Sequence, residues 1–358
     1  MENRSWIFIG VALRFGYALG LHLHSEDDSF SAVKKEVLAR IWWGHYTLET
    51  LLAAATGRPS TGFNGTCSVP LPLPLSSAEI EEAIIESRFG ERRTMITRLF
   101  ARKTIASLSA RSTDSPTRTL SDCAASNLEP ANSGSYLKSV VQLGEITNAA
   151  LNLYESSTSV MVLPWSGVQE HIVRLTEDLD FWAASLPDDL DFDKRGTVIG
   201  HKYEREKNTL EMLFHGTKIL VTRPCLRRLD RCTMNQKARL SEFNESIALI
   251  CVQSARSIAW LLPNRPDLDV VRLYEAGPWW CMVHAIMQSL AVLLLELTYE
   301  ASYSSYNQQE ILPSLKKLVR WLRVMQAKNA MAKRAYSIAM HLLRASASKI
   351  RMVSRQRR

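Results

Sequence analysis

Nowhere in the 358 residues do two cysteines form a C-x2-C pair; the six lie at positions 67, 123, 225, 232, 251 and 281. A binuclear zinc cluster needs six closely spaced thiolates in two such groups, so this sequence does not contain one. Cys251 and Cys281 stand inside apolar stretches, where reduced core residues are expected rather than a disulfide framework. Also missing are G-x-S-x-G, H-E-x-x-H, a phosphate-binding loop and G-x-G-x-x-G. Those omissions remove the usual signatures of a serine hydrolase, a zinc protease and a nucleotide-dependent enzyme. Glycine is scarce at 15 residues, and the apolar runs are rich in Leu, Ala, Met and Trp, which favours helices over a sheet. The longest apolar run, 279–297, contains His284, Gln288 and Glu296. It suits a central buried helix better than a bilayer span, so no membrane partner is expected. The first apolar stretch is broken by Arg14 and closes on Leu-Gly-Leu-His, so no signal peptide is expected either.

What is present supports folding: a hydrophobic fraction of 46% is enough for one large domain or two ordinary ones. The net charge is +8, yet nine Lys or Arg and no acid lie from Lys328 to the end, which leaves −1 for everything before. Duplex DNA is held mainly by cations gathered on one face, and a near-neutral body does not argue for that, although the arginines of 88–118 could form a local patch.

Spacing and breakers predict an all-α, multi-helix bundle with one flexible insertion and a proline-rich extended segment. Helices are expected over 1–22 and 33–56, the second entered through a cap at the end of the 25–31 loop. Pro70, Pro72 and Pro74 exclude helix and impose extended or turning backbone on 60–77. A further helix opens at Ser77 and weakens toward Ser112. Residues 112–135 turn to Ser, Thr, Asp, Asn and Pro, too polar to offset the loss of chain entropy. Helical spacing then resumes over 136–154, 168–186, 210–226, 241–262, 279–297, 315–322 and 330–343. The resulting organisation is one helical domain in two parts, 1–111 and 136–348, with the insertion 112–135 between them and a basic tail, 349–358.

The chain is organised around the second helix. Ile41, Trp42, His45, Leu48 and Leu52 recur at three- and four-residue steps, which predicts that they face the core and that Arg40 and Thr47 lie outside. Gly57 and Pro59 specify its stop. Upstream stands Trp6-Ile-Phe-Ile-Gly10-Val-Ala-Leu-Arg14-Phe-Gly-Tyr-Ala-Leu-Gly20-Leu-His22; then come Trp42-Trp43 and Gly57-Arg58-Pro59. Further on are Trp182 four residues before Leu186-Pro187, a helix with His215 leading to Arg223-Pro224, and Pro278-Trp279-Trp280. In order and spacing these motifs resemble the regulatory domain of fungal zinc-cluster transcription factors, the fungal-specific transcription factor domain, over nearly the whole chain. One departure concerns Glu49-Thr50, where the family often has an aspartate followed by an arginine; the acid is kept and the base is lost.

Several residues invite a chemical reading. Asp188-Asp189-Leu-Asp191-Phe-Asp193 could hold Mg2+ against a diphosphate, as in a terpene synthase, but Pro187 directly precedes it and no second metal motif follows, so a solvated acidic loop or first turn is expected. His22 and His24, two apart, would diverge on a helix and lack nearby cysteines, which favours a helix-end polar role over metal ligation. His215 and His284 lie in apolar patterns as hydrogen-bonded core residues. Trp42, Trp43, Trp279 and Trp280 could line a small-molecule pocket, though aromatics at this spacing are core first. Arg58 and Arg223, each before proline at a helix exit, are expected to meet carbonyls or acids. Lys349, Arg351, Arg355, Arg357 and Arg358 could serve nuclear import.

The resemblance implies a nuclear, non-enzymatic transcription regulator that controls a pathway or secondary-metabolite gene cluster. It implies as partners other transcriptional regulators, a small-molecule effector or a second copy in a homodimer, with DNA reached only indirectly or through a preceding segment. No cofactor is expected here, and zinc only where a cluster precedes this chain. The alternatives are an all-helical Mg-dependent enzyme and a decayed, truncated regulator.

Overall fold

The computed structural model describes residues 2–24, 30–58, 60, 67–80, 129–155, 164–193, 202–228, 239–266, 269–271, 279–299 and 308–356. Among them the chain is all-α, as the sequence predicts. The helices are α1 (Glu2–Ala18), α2 (Ala32–Thr56), α3 (Ser133–Glu155), α4 (Trp165–Ala184), α5 (Glu204–Arg228), α6 (Arg239–Leu261), α7 (Trp279–Tyr299), α8 (Gln308–Met325) and α9 (Ala330–Gln356). A 3-10 turn, Ser77–Glu79, stands between α2 and α3. Contacts divide the chain into two compact units: Met1–Asn152 with Asp180–Tyr203, and Leu153–Leu179 with Glu204–Arg358.

In the first unit α1 runs antiparallel to α2, with Trp6 beside Arg58 and Gly16 beside Trp42. α1 stops at Ala18, four residues before the expected end. Gly20 takes the left-handed backbone at φ 69°, and the amides of Leu21 and Gly20 close back on the carbonyls of Gly16 and Tyr17, ending the ladder. α2 starts and stops as read: the Ser31 hydroxyl accepts the Lys34 amide, and Gly57 at φ 63° donates to the Ala53 carbonyl. Pro59 lies outside the described residues.

The buried face of α2 is turned from the expected one. Ile41 and Leu48 are 42% and 47% exposed, while Glu36, Thr47, Glu49 and Thr50 are buried beside Ala39, Trp42, Trp43, Tyr46 and Ala53. Arg40, expected outside, is half-buried and paired with Glu36 at 2.9 Å. Three of these polar groups lie inward with partners: Glu36 pairs with Arg40, Thr47 donates to the Trp43 carbonyl, and Glu49 accepts the Ser60 hydroxyl at 2.7 Å. α3 begins at Ser133 rather than 136, because Asn132 caps it through the amides of Gly134 and Ser135. The helix expected from Ser77 is a 3-10 turn as far as Glu79, whose carboxylate reaches back to the Ser76 amide. The rest of that expected helix, the arginines of 88–118 and the insertion up to residue 128 lie outside the described residues.

The second unit has α7 at its centre, packed on α5, α6, α8 and α9, as a long apolar run with few polar breaks requires. Its core gathers Ile219, Ile258, Ile286, Leu290, Leu293, Leu318, Trp321 and Leu322. Arg223-Pro224 is not at a helix exit: α5 continues to Arg228 with Pro224 inside it. The proline falls in the last turns, where one forfeited backbone bond interrupts little of the ladder. α9 likewise runs past 343, carrying Lys349, Arg351 and Arg355 on helix.

Candidate functional site

Trp42 and Trp43 of α2 hold an arm, residues 67–75. Pro70, Pro72 and Pro74 have no amide to offer a ladder, so the arm's carbonyls must be met by side chains. Trp43 Nε1 donates to the Pro70 carbonyl at 2.8 Å, and Trp42 Nε1 lies 3.2 Å from Cys67 Sγ. The Ser68 amide donates to the His22 carbonyl, and the His24 amide to Ser68 Oγ. At the far end one Glu36 oxygen accepts both the Leu73 amide and Arg40 Nε at 2.9 Å, while the Arg40 guanidinium also donates to the carbonyls of Leu73 and Leu75. Asn132 Nδ2 donates to the Pro74 carbonyl. Gly134 sits under the arm so closely that an added Cβ would fall 2.3 to 2.6 Å from the backbone of Leu73 and Leu75.

Around this clamp the aromatic rings stack at angles. Tyr17 lies 4.7 Å from His22 and 5.2 Å from Trp42, and Arg58 covers the Trp6 ring at 4.8 Å. Gly16 admits the Trp42 ring and Gly144 admits Tyr46, each with 3.4 Å to a built Cβ. Arg14 is exposed and Gly10 has open space beside it, so neither contributes to the clamp. Trp182 donates to the Ser139 carbonyl at 3.0 Å, and Pro187 is buried beside it in sequence order with Leu186 and Leu190. The acidic run that starts at Asp188 forms a turn: the amides of Leu190 and Asp191 return to the Pro187 carbonyl, and Asp191 Oδ1 accepts the Asp193 amide. No helix stacks Asp188 and Asp189 toward a common point, as metal ligation on a helix would require.

The second unit places His215, Arg223 and His284 along α5 and α7. Gln288 donates to the Gly216 carbonyl at 3.0 Å, Trp321 Nε1 to the Pro263 carbonyl at 3.0 Å. Burial, assisted by Arg223, lowers the His284 pKa to about 4. Burial pushes the Cys251 thiol up to about 12, and it pushes Cys281 and the Tyr46 phenol up as well. At neutral pH the two thiols and the phenol are therefore protonated and His284 is neutral, a state that suits packing and suppresses nucleophilic attack. Trp279 and Trp280 begin α7, but their side chains lie outside the described set, as do Arg357 and Arg358. Among the described residues no group of three His, Cys, Asp or Glu could hold a metal ion, and no helix is long and apolar enough to cross a membrane.

The fungal-specific transcription factor domain profile matches residues 2–183, from the start of α1 to the last turn of α4. The chain belongs to that family. Beyond the profile, 93% of this fungal-specific transcription factor domain chain aligns at 28% identity with the transcription regulator galc of Aspergillus niger, covering 43% of that protein. The thiamine repressible genes regulatory protein thi1 of Schizosaccharomyces pombe is 22% identical over 84% of the chain and 31% of its own length. Transcription factor FBD3 of Gibberella moniliformis is 20% identical over 81% of the chain and 34% of its own length. The chain thus spans less than half the length of these relatives. No solved structure matches it.

Within the family domain, apolar periodicity marks the tryptophans but not Glu36, Arg40, Asn132 and Gly134, which fix the arm. Two signals were available: the i, i+4 spacing of Glu36 and Arg40, and Asn132 three residues before Ser135 as a cap. Nothing in the sequence alone marks Gly134 as the floor beneath Leu73.

Proposed function

We propose that this fungal-specific transcription factor domain is the helical regulatory part of a transcription regulator, acting by contacts with other regulators or a small effector and carrying out no bond-making chemistry. The observation that carries the reading is the alignment of 93% of the chain with a protein named as a transcription regulator. The protonated, buried thiols and phenol agree with a receiver of contacts rather than a catalyst. The near-neutral charge before Lys328 agrees with DNA being reached through another segment or partner. In this reading the protein works in the nucleus, needs no cofactor of its own in this region, and meets zinc only through a cluster outside it. The relative thi1, a regulatory protein of thiamine repressible genes, supports genes of a pathway as targets; a secondary-metabolite cluster is the narrower form of the proposal.

The test is a fusion of the whole chain to an unrelated DNA-binding domain upstream of a reporter. The expected outcome is a several-fold change in transcript, up or down, relative to the DNA-binding domain alone. An unchanged transcript with the fusion located in the nucleus and bound at the promoter rejects the reading.

A further inference from the structure

α1 is apolar on both of its sides. Ile9, Leu13 and Gly16 face inward, Leu13 within the cluster of Ala39, Trp42, Trp43 and Tyr46. On the opposite side Phe8, Val11, Phe15 and Leu19 succeed one another at steps of three and four residues, and Phe8, Phe15 and Leu19 are 69%, 66% and 73% exposed. Ile7 widens the stripe in the next row. A helix apolar all round is normally covered all round, and these side chains leave on the order of 500 Å² of apolar surface open, at the upper end for a monomer.

The charges beside the stripe say what covers it. Arg4 precedes Phe8 by one turn on the same row, and Arg14 flanks the row of Ile7 and Val11; both are exposed. Among the described side chains of α1 these are the charged ones, and both are cationic. A second copy laid on this face would bring like charges together. The open area is also below the ~800 Å² per partner of a standard stable interface. A single amphipathic helix with an apolar stripe and carboxylates along its edges satisfies both the area and the charge, by the same i, i+3, i+4, i+7 anchoring that helix-binding grooves use. We infer that the outer face of α1 is a docking surface for an acidic amphipathic helix of a partner protein. This inference is independent of the transcriptional reading, since it rests on exposure and charge alone.

The test uses the full chain and a fluorescent 20-residue helical peptide with Leu and Phe at i, i+3, i+4 and i+7 and Glu elsewhere. A control peptide carries Lys in place of Glu. Fluorescence anisotropy is expected to show saturable binding of the acidic peptide. Phe8→Gln with Phe15→Gln, or Arg4→Glu with Arg14→Glu, should weaken it at least tenfold. All four positions are exposed, and circular dichroism with a melting curve confirms that each variant folds. Equal binding of the Lys peptide, tight binding to anionic lipid vesicles that the Phe substitutions abolish, or a sedimenting dimer that the same substitutions dissolve would each overturn the inference, as would no binding at all. Because the readout is direct binding, its failure leaves the reporter experiment unaffected.

Discussion

Gly134 and Gly10 show how differently two residues of one type are used. At Gly134 a methyl group would collide with the backbone of Leu73 and Leu75, which cannot rotate away as a side chain tip could. Gly134→Ala is expected to destabilise the first unit by about 3 kcal/mol, the range of a strained overpacked site, and to loosen the arm. Gly10 has open space for a Cβ and lies mid-helix. Gly10→Ala is expected to stabilise by about 0.5–1 kcal/mol through helix propensity alone. Thermal melting of the two variants beside the parent separates the cases, and a neutral Gly134→Ala would refute the close passage of the arm. His284 gives a residue-scale pH effect. Its folded pKa of about 4 lies below the ordinary 6.5, so on acidification the unfolded chain takes up the proton first. The stability it contributes is complete above pH 6.5 and is lost as pH falls toward 4, about 2–3 kcal/mol by pH 4.5. Urea midpoints at pH 7 and 4.5 should differ less for His284→Gln than for the parent.

At the scale of elements, α2 and the arm form one device. Its start and stop were legible, because Ser31 and Gly57 act locally and their chemistry is visible in sequence. Its buried face was not, because the inward side holds Glu36, Thr47, Glu49 and Thr50, of which the first three bond the Leu73 amide, the Trp43 carbonyl and the Ser60 hydroxyl. Apolar periodicity assigns Ile41 and Leu48 to the core because it cannot count such bonds. For the same reason Trp42 and Trp43 were visible and the clamp that they serve was not. Arg40→Lys tests the device. Lysine keeps the charge but cannot span Glu36, Leu73 and Leu75 with one planar fork. Hydrogen exchange at the Leu73 amide, bonded to Glu36, is expected to rise about tenfold, which corresponds to about 1.4 kcal/mol of local opening. Exchange in α7 and α8 should not change. A uniform rise across both units would show that Arg40 acts on global stability instead.

For the molecule as a whole, charge is segregated along the chain, and the structure puts much of the excess on a helix. α9 carries Lys333, Arg334, Arg344, Lys349, Arg351 and Arg355 with no acid between them, and its inner face, Ala332, Ala335 and Ala339, is buried in the second unit. Its early turns are therefore fixed by packing, whereas the last turns bear cations at 349, 351 and 355. Any affinity of this chain for nucleic acid should come from those turns together with Arg357 and Arg358, and it should be sequence-independent, since phosphate contacts carry charge but no base information. Replacing Lys349, Arg351, Arg355, Arg357 and Arg358 by Gln is expected to reduce the slope of log affinity against log salt by about 4, with nearly one unit lost per phosphate contact removed. The fold should persist, because among the described side chains of α9 the buried ones lie before residue 344. Nuclear enrichment of a fluorescent fusion should fall in parallel where the same cations serve import. A salt slope left unchanged would move the phosphate contacts elsewhere in the chain, and the arginines of 88–118 would be the next set to replace.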